Sequence, residues 1–370
     1  MTNDAGSFIE SGPTGPEVRP VLTVSSLAFR EAMGQQVYEE CITEIAEASL
    51  GRQWSIHRTV IRSMRAPDPG THRVPARVLY SGSERVRAAV GRCIYRGSDV
   101  VHRFDLRLPP FSGPEVLTIH DVAAWRFDDE AAPPKASLSE ARRAAAVVCG
   151  SRFAANEVRE VFGVAEPVVI PHGVSSRFFQ AAPLAASELE ALGARAPFVT
   201  HFGGCSKRKN LAALAEAWPE VHRRIPDAQL ILVGRDHPTR TRLFSSLPGI
   251  VLAGRLSSPL VPRLMASSSV VVVPSLYEGF GLPALEAMAT GAAVVASNRS
   301  SLPEVCADGA LLVNPDRVGL AEGLIAALDG GSQIVAMAAR GRARAKTFTW
   351  ERSAAAHAEI WDAVRSGAQR

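Results

Sequence analysis

The fold is decided by the segment VVVVPSLYEGFGLPALEAMATGAAVVAS, residues 270–297. Its four leading valines, 270–273, form an apolar run typical of a buried parallel strand, which Pro274 ends. A glycine-rich turn follows, and Pro283 suits the start of a helix because its missing N–H is not needed there. The helix is predicted to end at Gly291. The segment therefore predicts a strand, a turn and a helix of an α/β sheet.

Two carboxylates flank the free backbone N–H groups at this predicted helix start. Glu278 lies on the turn, and Glu286 lies in the first turns of the helix. The N–H groups and the positive end of the helix favour phosphate or sugar oxygens, and carboxylates accept hydrogen bonds from sugar hydroxyls. The pattern favours a polyhydroxylated, anionic ligand. The alternative is an ordinary strand–turn–helix unit with a solvated Glu278 and a capping Glu286.

The same segment resembles the Glu-x7-Glu motif of the retaining glycosyltransferases of family 4, which have the GT-B fold. The match extends through PSxxEGFGLPxLEAMAxG, so it includes the intervening residues as well as the glutamates. A motif match becomes useful when its structural context agrees, as the predicted strand, turn and helix do here. The resemblance covers about residues 20–365 and is strongest from 198 to 315.

The resemblance assigns roles to the residues of this segment. It implies that Glu286 accepts hydrogen bonds from the ribose of a nucleotide donor, and that Glu278 contacts the donor sugar beside the reacting centre. The turn residues that would bind the donor together with Glu278 are Gly279, Phe280, Gly281 and Leu282.

A second candidate site is GGCSKRKN, residues 203–210, where two glycines end a predicted strand before a helix start. Gly203 and Gly204 let the backbone approach a ligand closely, and Arg208 and Lys209 add fixed positive charge. This combination suits a diphosphate, and the alternative is a basic surface turn. Many family members carry an arginine directly after the first glycine, where this chain has Gly204. The resemblance therefore leaves phosphate neutralisation to Arg208, Lys209 and backbone N–H groups.

The segment VLTIHD, residues 116–121, places His120 and Asp121 directly after another predicted strand. A lone histidine there is more often a hydrogen-bonded structural residue than a catalyst. The resemblance implies a histidine beside the donor sugar, which makes His120 the candidate near the reacting centre. Asp121 would either orient the His120 ring or cap the following segment.

Three shorter segments also resemble family features. IPHGV, residues 170–174, matches an interdomain segment, and no catalytic role is expected for its His172. FTWE, residues 348–351, resembles the start of a final helix that crosses back to the first domain. The N-terminal family loop is reduced here to MGQQ, with Gly34 as a candidate contact.

Short apolar strands alternate with helical patterns along the chain, which indicates βαβ units and parallel sheets. We expect two Rossmann-like, doubly wound domains facing each other across a cleft, the GT-B arrangement. Residues 1–18 are expected to form a disordered tail, 19–180 the acceptor-binding domain, 197–347 the nucleotide-sugar-binding domain, and 348–370 the returning helix. Strands are predicted at 21–24, 100–101, 116–119, 146–149, 168–170, 198–202, 230–233, 250–252, 270–273, 293–296 and 310–313.

Composition narrows the class of protein. The 370 residues are 46% hydrophobic and 21% charged, as in globular domains, and no run of about 18 apolar residues predicts a membrane span. Five widely separated cysteines show neither metal-ligand spacing nor a disulfide framework, which fits a reducing cytosol. We therefore expect a cytoplasmic protein. The family resemblance implies no metal and no cofactor beyond a nucleotide-diphosphate sugar as donor substrate.

Basic residues are concentrated between Arg52 and Arg107, where twelve arginines stand against four acidic residues. The predicted helix 84–96 divides into an apolar face of Val86, Val90, Cys93 and Ile94 and a basic face of Arg85, Arg92 and Arg96. Such a stripe is either a solvated face or a surface for a phosphorylated acceptor or for the inner face of the membrane. Nucleic acid is disfavoured, because no aromatic residues interleave as stacking platforms.

Together with these observations, the resemblance implies a retaining glycosyltransferase that moves a sugar from a nucleotide-diphosphate donor to a hydroxyl of a saccharide or lipid-linked saccharide. Similarity in the EGFGLP region favours GDP-mannose or a deoxy-sugar nucleotide of cell-surface polysaccharide or glycolipid assembly. The alternatives are a phosphorylase or nucleotide-sugar hydrolase on the same fold, and a non-catalytic nucleotide-sugar-binding protein. A dinucleotide-binding oxidoreductase is excluded, because no GxGxxG turn is followed by an acid at the required spacing.

Overall fold

The computed structural model describes residues 19–28, 34–50 and 53–367. The predicted tail, residues 1–18, lies outside the described residues. Two α/β sheets are present, and every described strand pairing in them is parallel. The predicted fold class, two Rossmann-like domains of the GT-B type, is confirmed.

The first sheet has seven strands in the order β3-β2-β1-β4-β5-β6-β7. Its strands are β1 (Val21–Leu27), β2 (Ser55–Ser63), β3 (His72–Val74), β4 (Val100–Arg103), β5 (Glu115–Thr118), β6 (Ala146–Cys149) and β7 (Val168–Val169). Its helices are α1 (Gly34–Leu50), α2 (Ala76–Ser81), α3 (Glu84–Ile94), α4 (Ala123–Arg126), α5 (Ser137–Arg143) and α6 (Arg152–Phe162). The strand order reverses direction between β1 and β4, which opens a crevice at the carboxyl ends of those strands.

The second sheet has six strands in the order β10-β9-β8-β11-β12-β13. Its strands are β8 (Phe198–Phe202), β9 (Gln229–Val233), β10 (Ile250–Gly254), β11 (Val270–Val273), β12 (Ala293–Ser297) and β13 (Leu311–Val313). The connecting helices are α7 (Ser176–Phe179), α8 (Ala186–Ala191), α9 (Leu211–Arg224), α10 (Pro238–Phe244), α11 (Leu260–Ser267), α12 (Leu282–Thr290), α13 (Leu302–Cys306), α14 (Arg317–Asp329), α15 (Ser332–Ala345) and α16 (Trp350–Arg365). All six strands predicted for this half are present, and the reversal lies between β8 and β11.

The strand–turn–helix unit at β11 and α12 is confirmed. Val271 and Val273 pack with α12 on one side of the sheet, and Val270 and Val272 pack with α9 and α14 on the other. Because both faces of β11 are covered, the strand needs the unbroken apolar run that the sequence shows. Gly291 ends α12 in the left-handed region, with φ of 85°.

Strands β2 and β3 are absent from the sequence-based prediction. These strands contain polar residues and therefore lack a clear apolar pattern. Strand β2 lies beside the edge strand β3 and exposes part of its length. His57 and Arg58 in β2 are exposed, while Thr59 and Ile61 are buried. A strand near a sheet edge therefore lacks the continuous apolar run that marks β11.

Helix α16 connects the second domain back to the first. Trp350 and Trp361 of this helix share a core cluster with Tyr38 and Ile42 of α1. The C-terminal helix thus packs on the first sheet, although it follows the second sheet in sequence. None of the helices in the described ranges is long and apolar enough to span a lipid bilayer.

The predicted apolar face of helix 84–96 is wrong in part. Val86 is 47% exposed and Cys93 is exposed, whereas Arg87 is completely buried. Arg87 donates hydrogen bonds to both carboxylate oxygens of Glu140 and to five backbone carbonyls. Because a buried charge needs a partner and hydrogen bonds, α3 turns Arg87 inward and Val86 outward. The surface of this segment is therefore less basic than its composition suggests.

Candidate active site

The two glycine-containing loops lie at neighbouring strand ends on either side of the reversal between β8 and β11. The 203–210 loop follows β8, and the turn before α12 follows β11. Asn210 joins them, since its Nδ2 donates to the carbonyl of Pro274 at 3.0 Å and to that of Pro315 at 2.7 Å. The topology therefore brings the predicted phosphate loop and the predicted sugar-binding turn into one site.

Glu278 and the two cations of the phosphate loop form one ion cluster. Glu278 Oε1 accepts from Lys209 Nζ at 2.6 Å and from Ser275 Oγ at 2.7 Å, and Arg208 approaches Oε2 at 3.4 Å. Burial opposes ionisation of Glu278, but the charges of Lys209 and Arg208 outweigh it and hold the pKa of this carboxyl below its usual value. The site therefore presents an ionised carboxylate beside two cations.

A loop with two glycines precedes the start of α9, as predicted, and the structure adds its local conformation. Residues Lys207–Lys209 form a turn of 3₁₀ helix, and Asn210 adopts a left-handed conformation (φ 57°) before α9 begins. Gly203, with φ of 150°, has a conformation that few other residues adopt. A Cβ on Gly204 would meet no atom within 4 Å, so the backbone there faces open space.

Arg240 lies behind this loop and was missed by the sequence-based prediction. Its guanidinium is buried and donates to the carbonyls of Gly203 (2.5 Å) and Arg235 (2.8 Å), with no carboxylate partner among the described residues. Burial, then the charges of Lys209 and Arg240, lower the pKa of the neighbouring His201 to about 3. The sequence signal for Arg240 was its position in a helix that starts just after a strand of the same sheet. That position does not indicate which groups Arg240 contacts.

Glu286 stands apart from the ion cluster. Its side chain is partly buried in α12 and makes no hydrogen bond or ion pair within the described part of the chain. Burial raises the pKa of Glu286 to about 7, and Arg177 opposes that shift. Its carboxyl group is therefore free to accept a hydrogen bond from a ligand.

The first domain contacts the turn before α12 through backbone groups. A Cβ on Gly279 would overlap the carbonyl oxygen of His120, so the close approach requires glycine. Ser151 Oγ donates to the carbonyl of Gly279 at 2.6 Å, and the backbone N–H of Val122 donates to the Tyr277 hydroxyl at 3.1 Å. His120 and the turn therefore face one another across the domain boundary.

The His120 ring is neutral and has a free nitrogen. Its Nε2 is buried and has no hydrogen-bond partner among the described residues, and burial lowers its pKa to about 4. Tyr38 packs edge-on against the ring, with centroids 4.9 Å apart. Asp121 accepts from the backbone N–H of Ala123 at 2.9 Å, so it caps the next segment.

Tyr38 belongs to a hydrogen-bonded chain that supports this wall of the site. The chain runs from Trp361 Nε1 to His102 Nδ1 (3.2 Å), His102 Nε2 to Thr118 Oγ1 (2.8 Å), Thr118 to the Tyr38 hydroxyl (3.1 Å), Tyr38 to His357 Nε2 (2.7 Å), and His357 Nδ1 to the carbonyl of Ser353 (2.7 Å). The indole N–H can only donate and the carbonyl can only accept, so His102 Nδ1 accepts and His357 Nδ1 donates. Burial lowers the pKa of both histidines, and with both rings neutral the intervening bonds all run toward Ser353.

A cavity of about 320 Å³ opens beside His120 on the first-domain side. The residues that line it include Gln35, Asp105, Glu130 and Trp125, together with Arg208 from the second domain. An aromatic residue among hydrogen-bonding residues suits a polyhydroxylated ring. The cavity adjoins both His120 and the ion cluster.

Comparisons with known proteins agree with this architecture. Residues 196–330 match the family model described as glycosyl transferases group 1. O-antigen chain mannosyltransferase B of Escherichia coli is 35% identical over 165 residues, which are 42% of each chain. A phosphatidyl-myo-inositol mannosyltransferase of Mycolicibacterium smegmatis is 31% identical over 210 residues, or 55% of this chain and 53% of the relative. The chain thus matches about half the length, or less, of these curated relatives.

The fold is shared with solved structures over nearly the whole chain. Sucrose-phosphate synthase from Thermosynechococcus elongatus superposes with a TM-score of 0.74 at 21% identity, covering 94% of this chain and all of that one. That likeness concerns the fold, and the motifs and curated relatives concern the family. The chain is thus similar to the group 1 glycosyltransferases over residues 196–330, and it has the GT-B fold over nearly its whole length.

Proposed function

We propose that the chain is a retaining glycosyltransferase that moves a hexose, mannose or a deoxy-sugar, from a nucleotide-diphosphate donor to a hydroxyl acceptor. The observation that carries the proposal is the ion cluster of Glu278, Lys209 and Arg208 at the boundary between the domains. A nucleotide sugar offers an anionic diphosphate next to a polyhydroxylated ring. The cluster offers cations next to a carboxylate, which is the complementary arrangement.

In the proposed complex, the diphosphate lies on Lys209, Arg208 and the backbone of Gly203 and Gly204. The cations stabilise the charge that develops on the leaving diphosphate. Arg240 adds a buried positive charge directly behind Gly203. Donor affinity and leaving-group stabilisation then depend on the same loop.

The donor sugar and ribose are assigned to the residues around α12. Glu278 and the N–H groups of Phe280, Gly281 and Leu282 bind the sugar, and Glu286 accepts from the ribose hydroxyls. Glu278 is not proposed as a nucleophile, because its charge is already engaged by Lys209 at 2.6 Å. The acceptor instead attacks from the face that the diphosphate leaves, and the leaving phosphate removes the acceptor proton.

His120 is proposed to bind a hydroxyl at the reacting centre. Its free Nε2 and its lowered pKa favour a hydrogen bond from a neutral imidazole. The adjoining cavity, with Trp125 and several polar groups, is proposed for the acceptor saccharide. Water would be largely excluded where the two domains meet, which favours transfer over hydrolysis.

A lipid-linked acceptor in polysaccharide or glycolipid assembly is the proposed class, with the protein held peripherally at the inner face of the membrane. The names of the relatives refer to mannosyl transfer to an O-antigen chain and to phosphatidyl-myo-inositol. The first domain also exposes three large apolar side chains within its arginine-rich segment, namely Met64 (58%), Tyr80 (47%) and Val86 (47%). Apolar groups flanked by arginines suit an anionic lipid surface.

The test is product analysis with GDP-mannose, UDP-glucose and dTDP-rhamnose, each with a saccharide-lipid extract and with or without inorganic phosphate. A glycosylated product whose anomeric configuration matches the donor by NMR supports the proposal. Free sugar as the main product would indicate a hydrolase, and a sugar phosphate would indicate a phosphorylase. Nucleotide binding without turnover of any donor would favour a binding protein.

A further inference from the structure

A short acidic segment of the first domain, Asp128–Glu130 between α4 and α5, contacts the phosphate loop of the second domain. Glu130 Oε1 accepts from Arg208 Nε at 2.7 Å. Asp128 accepts from Lys207 Nζ at 2.6 Å, and Asp129 accepts from the Lys207 backbone N–H at 2.6 Å. All three acidic residues therefore meet the Lys207–Lys209 turn across the domain boundary.

These contacts leave each side-chain cation of the turn with a carboxylate partner. Arg208 is shared between Glu130 and Glu278, and Lys209 is paired with Glu278. The pairs differ in exposure: the side chains of Arg208 and Glu130 are 20% and 26% exposed, against 63% and 78% for Lys207 and Asp128. Exposed pairs are screened by water and contribute little, so the Arg208–Glu130 pair is the stronger of these two ion pairs.

We infer that Glu130 is an intramolecular competitor of the donor diphosphate. The inference rests on the proposed function, in which Arg208 binds that diphosphate. A guanidinium offers its donors to carboxylate and to phosphate in the same geometry, so the two anions compete for Arg208. Donor binding then exchanges the Glu130 carboxylate for phosphate oxygens.

The exchange has a structural consequence, because Glu130 and Arg208 belong to different domains. Loss of their ion pair removes a contact that holds the two domains together at the wall of the first-domain cavity. Donor binding is thereby coupled to access of the acceptor to its cavity. Glu278 does not provide this coupling, because it lies in the same domain as Arg208.

The opposite role for Glu130 would be to hold Arg208 in position for the phosphate. The two roles predict effects of opposite sign when the charge of Glu130 is removed. A competitor, when neutralised, releases Arg208 and tightens nucleotide binding. A positioning residue, when neutralised, lets Arg208 move and weakens nucleotide binding.

The test is calorimetric titration of the wild type and Glu130→Gln with GDP and UDP at low ionic strength. We expect the dissociation constant of the better nucleotide to fall about three- to ten-fold in Glu130→Gln, the range for a partly buried ion pair. Asp128→Asn should change it less than about two-fold, because that pair is exposed. An unchanged or larger dissociation constant in Glu130→Gln would overturn the inference.

Two controls separate this result from other causes. Glu188→Gln removes the partner of Arg263, a bidentate ion pair of similar length in the second domain, and should leave nucleotide affinity unchanged. In an Arg208→Gln background, Glu130→Gln should bring no further gain. If the wild type and the Glu130 and Glu188 variants bind none of GDP, UDP, dTDP and ADP, the proposed donor site fails and the inference fails with it. Wild-type binding without a gain in Glu130→Gln would overturn only the competitor role.

Discussion

Lys209 Nζ lies 2.6 Å from Glu278 Oε1, although the two residues are 69 positions apart in the chain. The contact exists because β8 and β11 are neighbours at the reversal of the second sheet, and both loops leave the same sheet edge. The Glu278 carboxylate after β11 is thus paired with Lys209 from the loop after β8. The proposed roles of the two residues, sugar recognition for Glu278 and phosphate binding for Lys209, can be tested independently with variants.

Glu278→Gln should reduce turnover by about 10²-fold or more, because it removes a charge at the reacting centre. Affinity for the nucleoside diphosphate alone should not weaken, since Lys209 and Arg208 lose a competing anion. Initial rates of transfer and calorimetric titration measure the two quantities. Equal losses in both would place Glu278 in the phosphate site instead of the sugar site.

His120→Ala should reduce turnover while leaving the affinity for the nucleoside diphosphate within about two-fold, since its Nε2 is assigned to a hydroxyl at the reacting centre. His172→Asn is the matched control, because His172 is a neighbouring buried histidine with no proposed contact to the ligand. Comparable transfer rates in the wild type and His120→Ala would remove His120 from the active site.

Nucleotide affinity should increase between pH 6 and pH 8 as Glu286 ionises. Its pKa is raised to about 7, and only the carboxylate accepts strong hydrogen bonds from both ribose hydroxyls. If binding requires the ionised form, the association constant rises about ten-fold over this interval. Glu286→Gln should bind more weakly at pH 8 and lose this dependence, apart from the part due to the phosphate itself. An identical pH profile in both proteins would contradict the assignment.

How far the sequence predicts the site depends on whether the partners are close in the chain. Val270–Gly291 carries its own strand, turn and helix signals, and each appears in the structure as predicted. No local sequence pattern indicates the contacts of Glu130 and Arg240, because only the tertiary fold brings them to their partners in the 203–210 loop. The roles of Glu278 and Glu286 are predictions that measurements of ligand binding will test.

The burial of Arg87 likewise depends on a partner that is distant in the chain. Its sequence neighbours, Arg85 and Arg92, are exposed on α3, and all three belong to one arginine-rich segment. The carboxylate that admits Arg87 to the interior is Glu140, 53 residues further along. A prediction from helical periodicity places apolar residues such as valine on the buried face and arginine on the exposed face. A distant carboxylate partner can make burial of the arginine favourable instead.

Arg87→Met should lower the free energy of unfolding by about 3 to 5 kcal/mol, because it leaves Glu140 with less of its buried charge compensated. Arg85→Met, on the exposed face of the same helix, should change it by less than about 0.5 kcal/mol. Urea denaturation followed by circular dichroism measures both. Similar small effects for the two variants would contradict the buried ion-pair network.

Acidification should destabilise the fold between about pH 6.5 and pH 4. The pKa of His357 is lowered to about 4 by burial, so the unfolded chain binds more protons than the folded chain in this interval. The stability contribution is complete above pH 6.5 and is lost as the pH falls, by roughly 2 to 3 kcal/mol for one such histidine. Raised pKa values at Glu39 and Glu286 act in the opposite sense, so the comparison is made with His357→Gln. A variant with an unchanged slope of stability against pH would disprove the contribution of His357.

Binding to anionic liposomes should depend on the arginine-rich surface. Arg85→Gln combined with Arg92→Gln should reduce co-sedimentation several-fold at low salt, since each arginine near an anionic surface contributes about 1 kcal/mol. The binding should also fade at 1 M salt, where the Debye length is about 3 Å. Arg223→Gln, an exposed arginine of the second domain, is the control. Equal, negligible binding to anionic and neutral liposomes would favour a soluble acceptor.

The central claim is that the 203–210 loop and the turn before α12 bind a nucleotide-diphosphate sugar. The most direct measurement is calorimetric titration of the wild type and Lys209→Ala with GDP, UDP, dTDP and ADP. We predict that at least one nucleotide binds the wild type in a 1:1 complex, and that Lys209→Ala loses at least about ten-fold in affinity, as expected for a charge-assisted phosphate contact, while the variant remains folded. Absence of binding by all four nucleotides, or equal affinity in the folded Lys209→Ala variant, would contradict the claim.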